Sequence, residues 1–370
     1  MRGCKSAVIT FFLFIACIVL GLGVLWQRER AFADSPVPGL PADASVVVER
    51  GDSFRSVLGK LRAAGVTVGH DLEWQLLGRL TGAAGKVQVG EFALPPGITP
   101  RRILLDMRDG KVVSYRFTIV EGWNIRDLRR ALRAAPNLRQ ETAELDDAAL
   151  MKAIGREGEH PEGRFLPETY QYNRGDSDID VLGRAYAAME KALAETWEGR
   201  AADLPFKNPY ELLTMASIVE KETGIADERA RIAGVFDRRL KLGMRLETDP
   251  TIIYGLGEAW DGKFTWAHLR TDGPYNTRTR AGLPPTPIAM PGRASLHASA
   301  HPAPGDALFF VAIGDGSGRS RFAATYPEHQ RNVQAYLANR RADAARANEP
   351  IRGTVAVEDN GDTDPAAPAR

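Results

Sequence analysis

Thiols are almost missing from this chain. Its two cysteines, Cys4 and Cys17, both lie near the N-terminus, so the body of the protein carries neither thiols nor disulfides, which suits an exported domain that relies on its core. Net charge is as scarce, a formal +1 over 370 residues. No overall field draws such a chain to nucleic acid or to acidic surfaces, and a nucleic-acid binder is excluded. Metal-ligand patterns are lacking too. His297 and His301 stand four apart, but there is no HExxH pattern and no third ligand, so the pair reads as structural, ahead of a helix end at Pro302. Neither metal nor cofactor is expected. Long hydrophobic runs are limited to one, and the length leaves room for two or three domains.

That run is AVITFFLFIACIVLGLGVLW, residues 7–26, uncharged and long enough to span a bilayer as a helix. Arg2 and Lys5 precede it; Trp26, at an interface position, Arg28 and Arg30 follow. A cleaved signal peptide is the rival. The run exceeds a usual signal core, however, and only Ala31-Phe32-Ala33 offers a small-x-small exit. Phe14-Ile15-Ala16-Cys17 faintly resembles a lipoprotein box, but the apolar run continues past Cys17. The expectation is a single-pass signal-anchor in the plasma (inner) membrane. Residues 1–6 are then cytoplasmic, 7–26 transmembrane, 27–44 a Pro-rich linker, and the rest extracytoplasmic.

Residues 45–135 alternate strands and helices. Val46, Val47 and Val48 read as a strand, Gly51-Asp52-Ser53 as a turn into a helix with Val57, Leu58 and Leu61, and residues 72–80 as a second helix. Residues 87–94 are strand-like, 103–107 a short helix, 115–120 a strand, and a helix with Leu128 and Leu132 follows Gly122. Twice a β-rich strand runs through a glycine turn into an amphipathic helix. This resembles LysM-type glycan-binding modules; a plain structural α+β domain is the alternative. Residues 136–160 are polar and acidic and read as a linker or a loosely packed helix. From Glu162 the chain (EGRFLPETY) becomes dense in aromatics, and residues 179–197 form a long helix with Leu182, Tyr186, Met189 and Leu193 on one face.

The chemistry-bearing stretch is NPYELLTMASIVEKETG, residues 208–224. Asn208 can cap a helix, Pro209 suits its first position, Glu211 could complete a capping box, and Gly224 is placed to stop it. The residues between are mostly apolar, so the helix should be buried, with Glu220 and Glu222 in its last turn. Burial and the carbonyl end of the helix dipole both raise a carboxyl pKa, as a general acid near neutral pH requires. The two acids stand about 200° apart on a helical wheel, and geometry alone does not choose between them. Both could instead simply solvate a helix end.

Residues 228–242 form another amphipathic helix. In MRLETDPTIIYG, residues 244–255, Asp249 is either a second acid or a turn residue before Pro250. The segments Tyr275-Asn276-Thr277-Arg278 and Gly282-Leu283-Pro284-Pro285 are irregular and polar-aromatic, of the kind that lines clefts. Residues 307–312 and 321–325 read as a hairpin around a glycine turn and 326–340 as a last helix. Residues 341–370 are Ala-, Asp- and Pro-rich and read as a disordered tail.

Together ASIVEKET (216–223), MRLETDPTIIYG, YNTR, GLPPTPI (282–288), the Pro-Gly at 291–292 and the His-Pro at 301–302 resemble the YceG-like endolytic murein transglycosylases, with EGRFLPETY ahead of the core. The resemblance implies an α+β protein: the N-terminal transmembrane helix, the small LysM-like domain, and a mainly helical lytic-transglycosylase-like catalytic domain with a small β element over residues 161–340. It implies cleavage of the MurNAc-β-1,4-GlcNAc bond inside peptidoglycan strands, leaving 1,6-anhydro ends and limiting strand length. The Glu-Thr pair makes Glu222 the catalytic acid, with Glu220, Thr223, Asp249, Thr251, Tyr275, Asn276 and Thr277 supporting it or holding the sugar. Glu247 departs from the family pattern, where Gln is expected. The implied partners are peptidoglycan glycan strands and membrane-bound peptidoglycan synthases. The alternatives are a hydrolytic muramidase using Glu222 and Asp249, and a non-catalytic peptidoglycan-binding scaffold.

Overall fold

The computed structural model describes residues 2–347, with side chains from 13 to 342. The chain divides into two units, residues 1–198 with 286–293 and residues 199–285 with 294–370. Helices predominate, and among the described residues the sheets are three antiparallel pairs, consistent with an α+β class.

In the first unit, α1 (Arg2–Asp34) leads to β1 (Ser45–Val48), α2 (Phe54–Ala63), α3 (Asp71–Leu80), β2 (Gly90–Ala93) and α4 (Pro100–Arg108). Among the described residues no helix is long and apolar enough to cross a membrane. The apolar run of α1 starts at Ala7, ahead of the first described side chain, Leu13. β1 and β2 pair with Val46 opposite Phe92, enclosing a core of Val57, Leu61, Trp74, Leu77 and Leu104. The helices start where the sequence caps them: Ser53 accepts from the Ser56 amide and Thr99 from that of Arg102.

The segment expected to be a Pro-rich linker, residues 27–44, is packed into the first unit's core. Ala33, Val37 and Leu40 are buried in this core, Val37 N–H bonds to Ile98 O, and Phe32 packs edge-on against Trp74. Apolar residues at these spacings were available to bury, so the prolines shape the path without freeing it. A Cβ on Gly69 (φ +70°) would lie 2.1 Å from the Phe32 ring, so that glycine lets the chain close over it.

A second core in the same unit is built from β3 (Ser114–Thr118), α5 (Ile125–Arg133), α6 (Asp147–Ala153), β4 (Thr169–Asn173) and α7 (Asp178–Glu198). The strand of Tyr115 therefore belongs not with the small domain but with β4, Phe117 opposite Tyr170. Of the two readings of residues 136–160, linker or loosely packed helix, a helix is present, α6, but it is firmly packed, and the segment buries Leu138, Leu150 and Met151. Buried Asp178 orders them by accepting from the amides of Glu141 and Thr142 and from the Thr142 hydroxyl. Glu162 accepts from the Ile125 amide at the start of α5, a favourable place for negative charge. Residues 286–293 are also fixed here: Ile288, Ala289 and Met290 are buried, and Met290 exchanges backbone bonds with Gly122 and Trp123.

The second unit holds α8 (Pro209–Glu222), α9 (Arg229–Lys241), α10 (Asp249–Leu256), α11 (Trp266–Arg270), α12 (Arg293–Ala300, from Ala294 on), the hairpin β5 (Phe309–Ala312) and β6 (Ser320–Ala323), and α13 (Tyr326–Ala347). α8 is its central element: eight consecutive residues from Leu212 to Val219 are buried. The polar ones satisfy themselves, Thr214 Oγ1 donating to Tyr210 O and Ser217 Oγ to Thr214 O. α13 runs on through residues 341–347, where a disordered tail was expected; residues 348–370 lie outside the described residues.

Candidate active site

The ends of α8 decide where its carboxylates point. Asn208 caps it, accepting from the Glu211 amide, while Glu211 reaches back one residue further than a capping box would, to the Lys207 amide. At the other end Thr223, not Gly224, is the terminator. It takes an extended conformation (φ −149°, ψ 136°), and its hydroxyl accepts from the Ile225 amide at 2.9 Å. Glu220 and Glu222 then diverge. Glu220 is directed to Arg229, 3.9 Å away, whereas Glu222 opens into a cavity of about 320 Å³.

Its lining combines polar residues, Glu222, Thr248, Asp249 and Arg278 among them, with apolar ones such as Phe236 and Val333. The Thr248 hydroxyl donates to Glu222 Oε1. Burial is the main influence on the Glu222 carboxyl and raises its pKa from 4.5 to about 7. The Thr248 hydrogen bond opposes that shift, the negative charge of Asp249 adds to it, and Arg278 and Arg239 oppose it from further away. The result is a carboxyl that is largely protonated just below neutrality and can still lose its proton there.

Asp249 is the first residue of α10 and forms an ion pair with Arg278, whose Nε and Nη2 lie 3.0 and 2.7 Å from its Oδ1. The expected turn is thus a helix start, with Pro250 in the first turn, where its missing N–H costs nothing. Glu247 adopts φ +55°, rare for a residue with a side chain. Its amide bonds to Thr277 O at 3.2 Å, and its carboxylate lies 3.7 Å from Arg239. Arg239 is buried and donates to the carbonyls of Leu308 and Leu246, fastening the start of β5 to the loop that carries Thr248.

The remaining site residues divide by what they touch. Thr251 and Thr277 are buried, their hydroxyls 2.9 Å apart, and Thr277 Oγ1 accepts from the Thr248 amide at 3.1 Å. They hold Thr248, the hydrogen-bond donor to Glu222, in place and are not part of the cavity's lining. Asn276 is buried as well, its Nδ2 donating to the carbonyls of His268, Leu269 and Thr271 at the end of α11. Tyr275 lines a neighbouring cavity and packs against Tyr254 with ring centroids 4.9 Å apart. Thr248, Arg239 and His329, which also line the cleft, are absent from the expected site residues, whereas Arg278 belongs to a segment expected to line a cleft. Thr248 follows Glu222 by 26 positions, and no local pattern links residues so far apart. The only sequence signal was the density of Thr and charge in 247–251. The rings of His297 and His301 lie against one another, centroids 4.5 Å apart and tilted by 38°, and no metal-ligand cluster occurs among the described residues.

A family model described as YceG-like matches residues 46–335. The chain belongs to the YceG-like family. Two relatives of this YceG-like chain carry the name endolytic murein transglycosylase. One, from Bacillus subtilis, is 28% identical over 316 residues, covering 80% of this chain and 85% of that protein. Another, from Streptococcus pneumoniae, is 31% identical over 182 residues, covering 48% of this chain but only 32% of its own length. A crystal structure of a yceG-like protein from Listeria monocytogenes aligns with TM-score 0.49 at 28% identity, covering 78% of this chain and 98% of that one.

Proposed function

We propose that this chain is an endolytic murein transglycosylase, a lyase that cuts peptidoglycan glycan strands outside the cytoplasm with Glu222 as its one acid–base group. The observation that carries this reading is the Glu222 carboxyl, raised to about 7 and open to a cavity whose lining lies within the span that the family model matches. Membership of the YceG-like family and the names of its relatives support the substrate class.

The reaction needs no second carboxylate. Oε1 is engaged by Thr248, which leaves Oε2 to carry the proton. That proton passes to the glycosidic oxygen between MurNAc and GlcNAc, and the bond from this oxygen to C1 breaks. The N-acetyl group of MurNAc stabilises the cation that forms. Ionised Glu222 then takes the proton of the sugar's own O6 hydroxyl as O6 bonds to C1, giving the 1,6-anhydro end without consuming water. The attack is intramolecular, so proximity favours it over hydrolysis. In a hydrolytic muramidase Asp249 would have to act as base or nucleophile, but it is held by Arg278. A non-catalytic scaffold gives no reason for a carboxyl poised near neutrality.

The apolar run at residues 7–26 supports a signal-anchor in the plasma membrane, with the LysM-like region holding glycan near it and the synthases that supply nascent strands as partners. The test is digestion of purified sacculi followed by mass spectrometry. Anhydro ends from the wild type and none from Glu222→Gln are expected. Reducing ends one water heavier would overturn the lyase, and full activity of Glu222→Gln would overturn the residue.

A further inference from the structure

A second cavity, of about 310 Å³, lies in the same unit as the acid's cleft and is lined mainly by apolar atoms. Ile252, Leu256, His268 and Tyr275 are among its walls. Two chain segments run from one cavity to the other. Helix α10 starts at the cleft with Asp249 and Pro250 and reaches the second cavity with Ile252 and Leu256. Alongside it, the segment through Tyr275 and Asn276 at the second cavity ends at the cleft with Arg278. At a helical rise of about 1.5 Å per residue, the two sites lie roughly 10 Å apart along α10. From Asp249 to Leu256 that span is about one disaccharide repeat of a β-1,4-linked glycan, so a disaccharide at the cleft leaves the second cavity to the next sugars of the chain.

The second cavity is built, not incidental. A Cβ on Gly255 would come 2.9 Å from Tyr275 Cβ, so the absence of a side chain there lets the two walls meet. Asn276, with its bonds to the α11 carbonyls, fixes α11 to the Tyr275 segment. His268 also joins an aromatic cluster, its ring 6.1 Å from that of Phe264 and 6.2 Å from that of Trp260. Phe264 and Trp266 beside it are exposed.

We propose that this cavity is a remote saccharide subsite, occupied by sugars of the same glycan strand whose scissile bond lies at Glu222. Pyranose rings have apolar C–H faces that pack on Tyr and His rings, and their hydroxyls stay in water at the rim. Continuity with the cleft through α10 and the 275–278 segment selects this occupant over an unrelated ligand. The inference rests on the glycan-cleaving reading and adds how the enzyme engages the interior of a strand: a chain must cover both cavities to bind well, and a short fragment covers one.

The test compares binding of long, peptide-free glycan strands and of a single GlcNAc–MurNAc disaccharide to the full chain carrying Glu222→Gln, so that nothing is cleaved. Adding Leu256→Glu, which places charge on the apolar wall, is expected to weaken long-strand binding about ten-fold and to leave disaccharide binding unchanged. Gly255→Ala, which pushes Tyr275 outward, should act in the same direction. Thermal melting of each variant identifies a folding loss, and the variant that melts like its parent decides. Parent-like long-strand affinity in a folded variant would overturn the subsite. So would a loss confined to binding of anionic phospholipid vesicles, which would assign the aromatic cluster to a membrane surface. Failure of the wild type to release anhydro ends would instead sink the lyase reading, whatever the binding result.

Discussion

Thr248 donates its hydroxyl hydrogen to Oε1 of Glu222, and its own backbone is held by Thr277, whose Oγ1 accepts from the Thr248 amide. The bond favours the ionised carboxyl and so sets how far burial can raise its pKa. It also fixes the carboxyl plane and leaves one oxygen to carry the proton. Thr248→Val should raise the alkaline limb of the pH–rate profile by about one unit, the scale of a hydrogen bond to a charged group. It should also lower kcat about ten-fold at neutral pH because the plane is no longer fixed. Thr248→Ser should restore both. A valine variant with an unmoved limb would reduce Thr248 to a packing residue.

Asp249 and Arg278 act on the same carboxyl with opposite signs. The negative charge of Asp249 raises the Glu222 pKa and the positive charge of Arg278 lowers it. Asp249→Asn should therefore move the alkaline limb of the rate profile down, and Arg278→Ala should move it up. Both variants should still yield anhydro ends. A pH-independent loss of turnover in Asp249→Asn, of three orders of magnitude or so, would mark Asp249 as a base or nucleophile and favour the hydrolase.

How much of this arrangement the sequence discloses differs from element to element. α8 was legible because its signals are local: a capping Asn, a proline at the first position, and an apolar run that the structure buries from Leu212 to Val219. Its stop was misjudged because Thr223 can turn the chain out in an extended conformation through its own hydroxyl, with no need of glycine. α10 was hidden because Pro250 reads as a breaker unless it is known to stand in the first turn. β4 offers only a short local signal, Tyr170 and Tyr172 alternating with polar residues, and the partner that fixes it, β3 with Arg116 opposite Gln171, lies far away in sequence. Glu222 could not be told from Glu220 on a helical wheel, since what separates them is tertiary: Arg229 on one side and Thr248 on the other.

The raised pKa of Glu222 also bears on stability. In the folded protein it lies near 7, against 4.5 for the ordinary carboxyl, so the native state binds this proton more tightly than the unfolded chain does. The stabilisation linked to it is fully present below about pH 4.5 and is lost as pH rises through about 7. Glu222→Gln, neutral at every pH, should match the wild type in acid and exceed it above neutrality by at most about 3 kcal/mol. Urea unfolding at the two pH values checks this. An equal stability difference at both would mean that the carboxyl titrates at its ordinary pKa.

Glu247 holds a left-handed backbone conformation, φ +55°, beside Thr248, which donates to Glu222. A side chain in that region costs about 1 kcal/mol or more. The strain is maintained by the bond from the Glu247 amide to Thr277 O, which brings the Thr248 loop against the Thr251–Thr277 hydroxyl pair. Glu247→Gly should relieve the strain and stabilise the protein by about 0.5–1 kcal/mol, the unfolded chain's added freedom offsetting part of the gain. Glu247→Gln should leave stability unchanged, because its carboxylate is half-exposed and only loosely paired with Arg239. Denaturant midpoints measured for both variants separate backbone from charge. A glycine variant less stable than the wild type would mean that the side chain, not the left-handed backbone, is what matters at this position.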